Sequence, residues 1–96
     1  MAGNWAVTVH YLRGTGEQHF VLKQDGNQLT GEHHGEIYNT TIAGTIHANE
    51  IALTSVLPVI GYPLPCRFKG TVQGNNMSGT VSMGEYGEAK WEAVKS

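Results

Sequence analysis

The sequence has a single cysteine, Cys66, so no internal disulfide can form. It has no apolar run near the roughly 20 residues that a membrane-spanning helix needs. Residues 1–5 lack a basic start followed by an apolar block, so no signal peptide is expected. Ala2 stands where N-myristoylation needs glycine. There is no excess of positive charge: six Lys and Arg face eight Asp and Glu, for a formal net charge of −2. The cations are scattered, which speaks against a groove tracking phosphates. Gly-x-Ser-x-Gly, Cys-x-x-Cys and a glycine-rich loop opening a helix are all missing. Gly14, Thr15 and Gly16 read as a turn, because no helix follows them. These absences lead us to expect a soluble cytoplasmic domain that binds neither nucleic acid nor membrane and carries no cofactor.

No window has an apolar stripe of period 3.6 with helix caps. Thirteen glycines instead divide the 96 residues into short alternating runs, the pattern of an all-β chain. This length makes one domain, 1–96, of marginal intrinsic stability. Eight strands are expected at 4–12, 17–25, 28–34, 37–47, 50–57, 64–73, 76–83 and 88–94. Gly26 and Asn27, Ala48 and Asn49, and Gly74 and Asn75 look like three versions of one two-residue turn. Such turns set Phe20 opposite His33, Ile46 opposite Ile51, and Val72 opposite Met77. A four-residue turn at 13–16 sets Val9 opposite Phe20, and a five-residue loop at 84–88 sets Val81 opposite Trp91. In every hairpin the large apolar residues then share one face, and that agreement supports the register.

The other face is polar, and no helix is available to cover the apolar one. The sheet must curl onto itself, which gives a small eight-stranded antiparallel up-and-down barrel, calycin-like, with Trp5 and Trp91 close together in its interior on neighbouring strands. Glycines at the inward positions 31, 44, 70 and 79 fit tight curvature. One end carries the short turns. The other carries 13–16, 34–40, 58–65 and 84–88, and a cavity, if the barrel holds one, opens there. The alternation fits a ligand cavity and a filled core alike. The candidate ligand-binding residues at that end are Tyr11, His33, Tyr38, Ser55, Tyr62, Glu85 and Tyr86. The apolar 58–65 reads as a loop that is a lid, a dimer contact or a dock for another domain.

His33 is the inward histidine, a core residue bonded to Tyr11, Gln18 or backbone, or else a base near a mouth. His10 and His19 are expected opposite each other on the outer face. Two such rings catch adventitious metal, but a functional site normally needs three or four ligands, so no metal site is expected. Cys66 lies inward and is expected to be a structural thiol.

Gly3, Asn4 and Trp5, the run 24–31 (QDGNQLTG) and the end 84–91 (GEYGEAKW) resemble a small bacterial β-domain. That domain sits at the carboxyl ends of PLP-dependent proteins similar to selenocysteine synthase and of some amidohydrolases. The Gly-Asn-Trp start and the Leu-Thr-Gly segment also resemble lipocalins and avidins. The resemblance implies an accessory or binding module and carries over no catalytic residue. The leading expectation is therefore a non-enzymatic barrel that holds a small, partly apolar molecule or docks a partner protein. A second reading is a barrel enzyme with His33 as acid/base and Tyr11, Tyr38 or Glu85 as donors or orienters. A third is a structural oligomerisation module such as a homodimer.

Overall fold

The computed structural model describes residues 2–11, 14–35, 39–59, 62–84 and 87–95, and for 57–59 and 62–64 it describes the backbone alone. Eight strands follow one another: β1 (Gly3–Tyr11), β2 (Gly14–Asp25), β3 (Gln28–His34), β4 (Asn39–His47), β5 (Glu50–Val59), β6 (Tyr62–Gln73), β7 (Asn76–Ser82) and β8 (Glu88–Lys95). Each pairs antiparallel with its chain neighbours, and β8 returns to β1, so the sheet is a closed up-and-down barrel.

Alternation decides what is inside. On β1, Trp5, Val7 and Val9 are buried while Asn4, Ala6 and His10 face out. On β5, Ile51, Leu53 and Ser55 are buried while Ala52, Thr54 and Val56 are exposed. The interior is filled by side chains. Phe20, Phe68 and Trp91 meet edge to face or tilted, with centroids 5.1 Å (Phe20 and Phe68), 5.5 Å (Phe68 and Trp91) and 6.4 Å (Phe20 and Trp91) apart. Such ring pairs add about 0.5–1.5 kcal/mol each beyond the area they bury.

The three two-residue turns are as expected. Phe20↔His33, Ile46↔Ile51 and Val72↔Met77 are register partners. Gly26, Ala48 and Gly74 have φ of 61°, 54° and 62°, a positive φ at the first central residue as a type II′ turn requires.

Two other registers differ from the expectation. On β1 and β2 the partners are Trp5↔Phe20 and Val9↔Gly16, a slip of four residues. An even slip keeps every side chain on its face, so the apolar pattern cannot reveal it. The error came from reading Gly14 and Gly16 as turn residues. They are strand residues, and the Tyr11 ring covers Gly16 so closely that a Cβ there would lie 2.8 Å from Cε2. Consequently His10 is opposite Thr15, not His19. On β7 and β8, Trp91 is opposite Gly79 and Val81 opposite Ala89, a slip of two.

Glycine sets the second register. Gly79 is also the partner of Gly70, and the Trp91 indole lies over this pair. Its N–H donates to the carbonyls of Lys69 (3.2 Å) and Thr80 (3.0 Å). Any Cβ on Gly79 would meet the Lys69 oxygen at 1.8 Å. Both tryptophans are buried on neighbouring strands, but they are not side by side as expected: Trp5 pairs with Lys95 and Trp91 with Val9. They are staggered by four residues, about 13 Å along the strands.

The expectation of a loop over 58–65 is corrected at Pro58, Val59 and 62–65, which are strand residues, while Ile60 and Gly61 lie outside the described residues. The ladder continues through Val56↔Pro65, Leu57↔Leu64, Pro58↔Pro63 and Val59↔Tyr62.

Candidate functional site

Inward parity on β2, β3 and β5 brings Gln18, His33 and Ser55 together above the aromatic cluster. Ser55 Oγ is 2.8 Å from His33 Nδ1, and Gln18 Oε1 is 2.6 Å from His33 Nε2. An amide oxygen only accepts, so Nε2–H donates to Gln18, and Nδ1 accepts from the Ser55 hydroxyl. Gln18 Nε2 in turn donates to the Tyr11 hydroxyl at 3.5 Å. The His33 ring stands on the edges of Phe20 and Phe68 at 5.0 and 5.8 Å. Burial first, and then the nearby His34, lower the His33 pKa from 6.5 to about 4. The imidazole is therefore neutral at physiological pH. Burial also pushes the Cys66 thiol up, which disfavours the reactive thiolate.

Serine, imidazole and amide stand in the order of nucleophile, base and orienter. Their burial opposes that use: His33 is 0 % exposed and Ser55 2 % exposed. Both ring nitrogens are occupied, and among the described residues no buried side-chain nitrogen or oxygen lacks a partner. A satisfied polar layer in the core accounts for the arrangement.

Of the residues expected at a binding site, the structure joins His33 and Ser55 directly and Tyr11 through Gln18. Tyr11 has inward parity, yet at the rim it is 41 % exposed. Tyr62 pairs with Val59 through its backbone, and its side chain lies outside the described residues. Tyr38, Glu85 and Tyr86 lie outside them too. Gln18, one of the partners expected for a core His33, fixes its tautomer; its even position on β2, in phase with Phe20 and Leu22, turns it inward.

Hollows lie on the outer surface. One of about 470 Å³ spans Thr45, Glu50, Lys69 and Thr80, and one of about 490 Å³ spans His10, Ser78, Lys90 and Glu92. Among the described residues no group of three or more His, Cys, Asp or Glu side chains could hold a metal ion, and no helix is long and apolar enough to cross a membrane.

The most distinctive surface is the end of β5 and β6. The β4 ladder stops at Ile42↔Ser55 and the β7 ladder at Arg67↔Ser82. Among the described residues, the strand ends beyond Ser55↔Cys66 pair only with each other, as a two-stranded ribbon leaving the barrel. Residues 56–65 (VLPVIGYPLP) contain no charged residue. The His47↔Glu50 pair closes a two-residue turn and is hydrogen bonded, so amides along β5 face β4 and β6 alternately. The bond from Val72 N to Asn49 O, 2.8 Å, keeps the same phase. In that phase Pro58, Pro63 and Pro65 occupy positions whose amide would point away from the ribbon ladder. The prolines thus leave the ladder whole and strip donors from both edges, which blocks strand addition.

No protein-family model matches the chain, and no curated protein matches it.

Proposed function

We propose that this chain is a non-enzymatic accessory barrel that docks a partner protein through the β5–β6 ribbon. The observation that carries the reading is a pair of strand ends, 56–59 and 62–65, within an uncharged stretch, that pair only with each other beyond a barrel whose described inward side chains are buried. All fourteen Lys, Arg, Asp and Glu residues lie elsewhere in the chain. A two-stranded ribbon is marginal in water by itself and gains by being covered. Val56, its first residue, is 44 % exposed.

The occupant we assign is a folded partner with an apolar cleft that receives the ribbon. Two copies stacked ribbon on ribbon would contribute ten residues a side, whereas a standard interface uses about 20–30. A cleft can also reach the barrel rim around Tyr11. Blocked edges direct recognition to side chains, not to strand pairing. The filled interior weighs against a small-molecule pocket at His33. The resemblance to domains carried by larger enzymes supports an accessory role, and the lone buried cysteine supports a reducing, cytoplasmic setting.

The test is calorimetry with a partner captured by the full chain and then purified. Residues 56–65 are replaced by Asn-Gly, which closes the strands at the hydrogen-bonded pair Ser55 and Cys66. The reading requires one-to-one binding by the full chain and at least a hundredfold loss in the shortened one. Equal binding by both chains would overturn it, as would sedimentation of the full chain as a dimer that the replacement abolishes.

A further inference from the structure

The cations are scattered in sequence, but strand register gathers three of the six Lys and Arg on one patch of the outer face. Lys69↔Thr80, Thr80↔Lys90 and Lys90↔His10 are successive register partners, so one outward row crosses β6, β7, β8 and β1. All four residues are exposed. Arg67 stands two residues before Lys69 on the same face, opposite Ser82. We propose that this row binds a phosphate-type oxyanion, seated over Thr80 between Lys69 and Lys90.

Shape is the first argument. The hollow of about 470 Å³ is bordered by Lys69, and those of about 490 and 390 Å³ by Lys90 and His10. Thr80 borders all three, so they join as a trough along the row. The outward positions of β7 are Ser78, Thr80 and Ser82, three hydroxyls without a charge. A hydroxyl donates readily to an oxyanion. Neighbouring strands are about 4.8 Å apart, so Lys69 and Lys90 start about 10 Å from each other. Two flexible four-carbon stems can close that gap above Thr80.

Charge is the second. The row itself holds no carboxylate, and among the described residues neither Lys69 nor Lys90 forms an ion pair. Two ammonium groups flanking one neutral residue raise the potential between them, and an anion seated there relieves their repulsion. Carboxylates border the row without entering it. Glu88 and Glu92 flank Lys90 on β8, and Glu50 borders the first hollow. Glu92 is engaged by His10, whose Nε2 is 3.2 Å from Glu92 Oε1. These margins oppose a long polyanion and favour a compact one.

The experiment titrates tag-free, nitrogen-15-labelled chain with sodium pyrophosphate at constant ionic strength, read by amide shifts and calorimetry. We expect one pyrophosphate per chain, saturable at millimolar concentration, with shifts centred on Lys69, Thr80 and Lys90. Lys69→Gln and Lys90→Gln should each weaken binding about fivefold, the upper end for an exposed ion pair. Lys23→Gln removes the same charge from β2 and should change nothing. Glu92→Gln takes a negative charge off the margin and should tighten binding about twofold, a gain that misfolding does not mimic. All four variants should melt within a few degrees of the parent, as surface substitutions do. A phosphoserine peptide titrated alongside separates two sources of the oxyanion: a free phosphate ester if pyrophosphate binds tighter, a modified partner protein if the peptide does. Full affinity in Lys69→Gln or Lys90→Gln would overturn the site. So would an equal loss in Lys23→Gln, shifts spread evenly over all the lysines, or no saturable binding at millimolar pyrophosphate.

Discussion

At the scale of single residues, two positions carry large and opposite demands. His33 is neutral and buried in the folded chain, with a pKa of about 4, against 6.5 for an unconstrained histidine. Between these values the unfolded chain takes up a proton that the folded chain refuses. The neutral His33 therefore contributes its full stabilisation above pH 6.5. That contribution shrinks as pH falls towards 4 and changes no further below it, a span worth roughly 3 kcal/mol. Denaturant unfolding from pH 7 to 4 should show this loss, and His33→Gln should flatten it. The second position is Gly79. Its substitution by alanine sets a methyl 1.8 Å from the Lys69 oxygen and 2.5 Å from the Gly70 Cα, both backbone atoms that cannot yield cheaply. Gly79→Ala should destabilise by about 3 kcal/mol. Trp91→Ala, which empties the space above it, should lose about 3–5 kcal/mol. A thermal melt within a few degrees of the parent for either variant would show that the indole seat has been misread.

At the scale of elements, the sequence was legible wherever parity and turn chemistry agreed. The two-residue turns at Gly26, Ala48 and Gly74 defined three hairpins, and those registers hold residue for residue. The two missed registers had even slips, invisible to any argument from buried faces. Resolving them needs contacts that alternation does not encode: the Tyr11 ring over Gly16, and the Trp91 indole over Gly70 and Gly79. Prolines misled in the same way. Three in eight residues read as a loop, yet each stands where its missing donor is not needed. The polar layer was legible in its members, since Gln18, His33 and Ser55 all have inward parity and Gln18 was an expected partner of His33, while the Ser55 bond to His33 was not foreseen. Among the three turns, Ala48 is the odd member, an L-residue at φ 54°. Left-handed backbone costs such a residue about 1–2 kcal/mol, so Ala48→Gly should raise stability by about 1 kcal/mol. A lowered urea midpoint would contradict this reading of the turn.

At the scale of the whole molecule, closure of β8 on β1 leaves the barrel no free edge of its own. The ribbon beyond Ser55 and Cys66 has edges, and proline blunts them. On the proposed reading, stability belongs to the barrel and recognition to the ribbon. Replacing 56–65 by Asn-Gly, closed at Ser55 and Cys66, should therefore leave the core amides and the melting midpoint nearly unchanged, because those residues pair only with one another among the described residues. The most direct test of the assignment is an amide shift map of the nitrogen-15-labelled chain with its purified docking partner. The account predicts changes concentrated at Val56, Leu57, Val59, Tyr62 and Leu64, fading along β5 and β6 towards the barrel, with His33 and Ser55 unmoved. Changes centred on Gln18, His33 and Ser55 with a silent ribbon would contradict it and restore an interior pocket as the site of function.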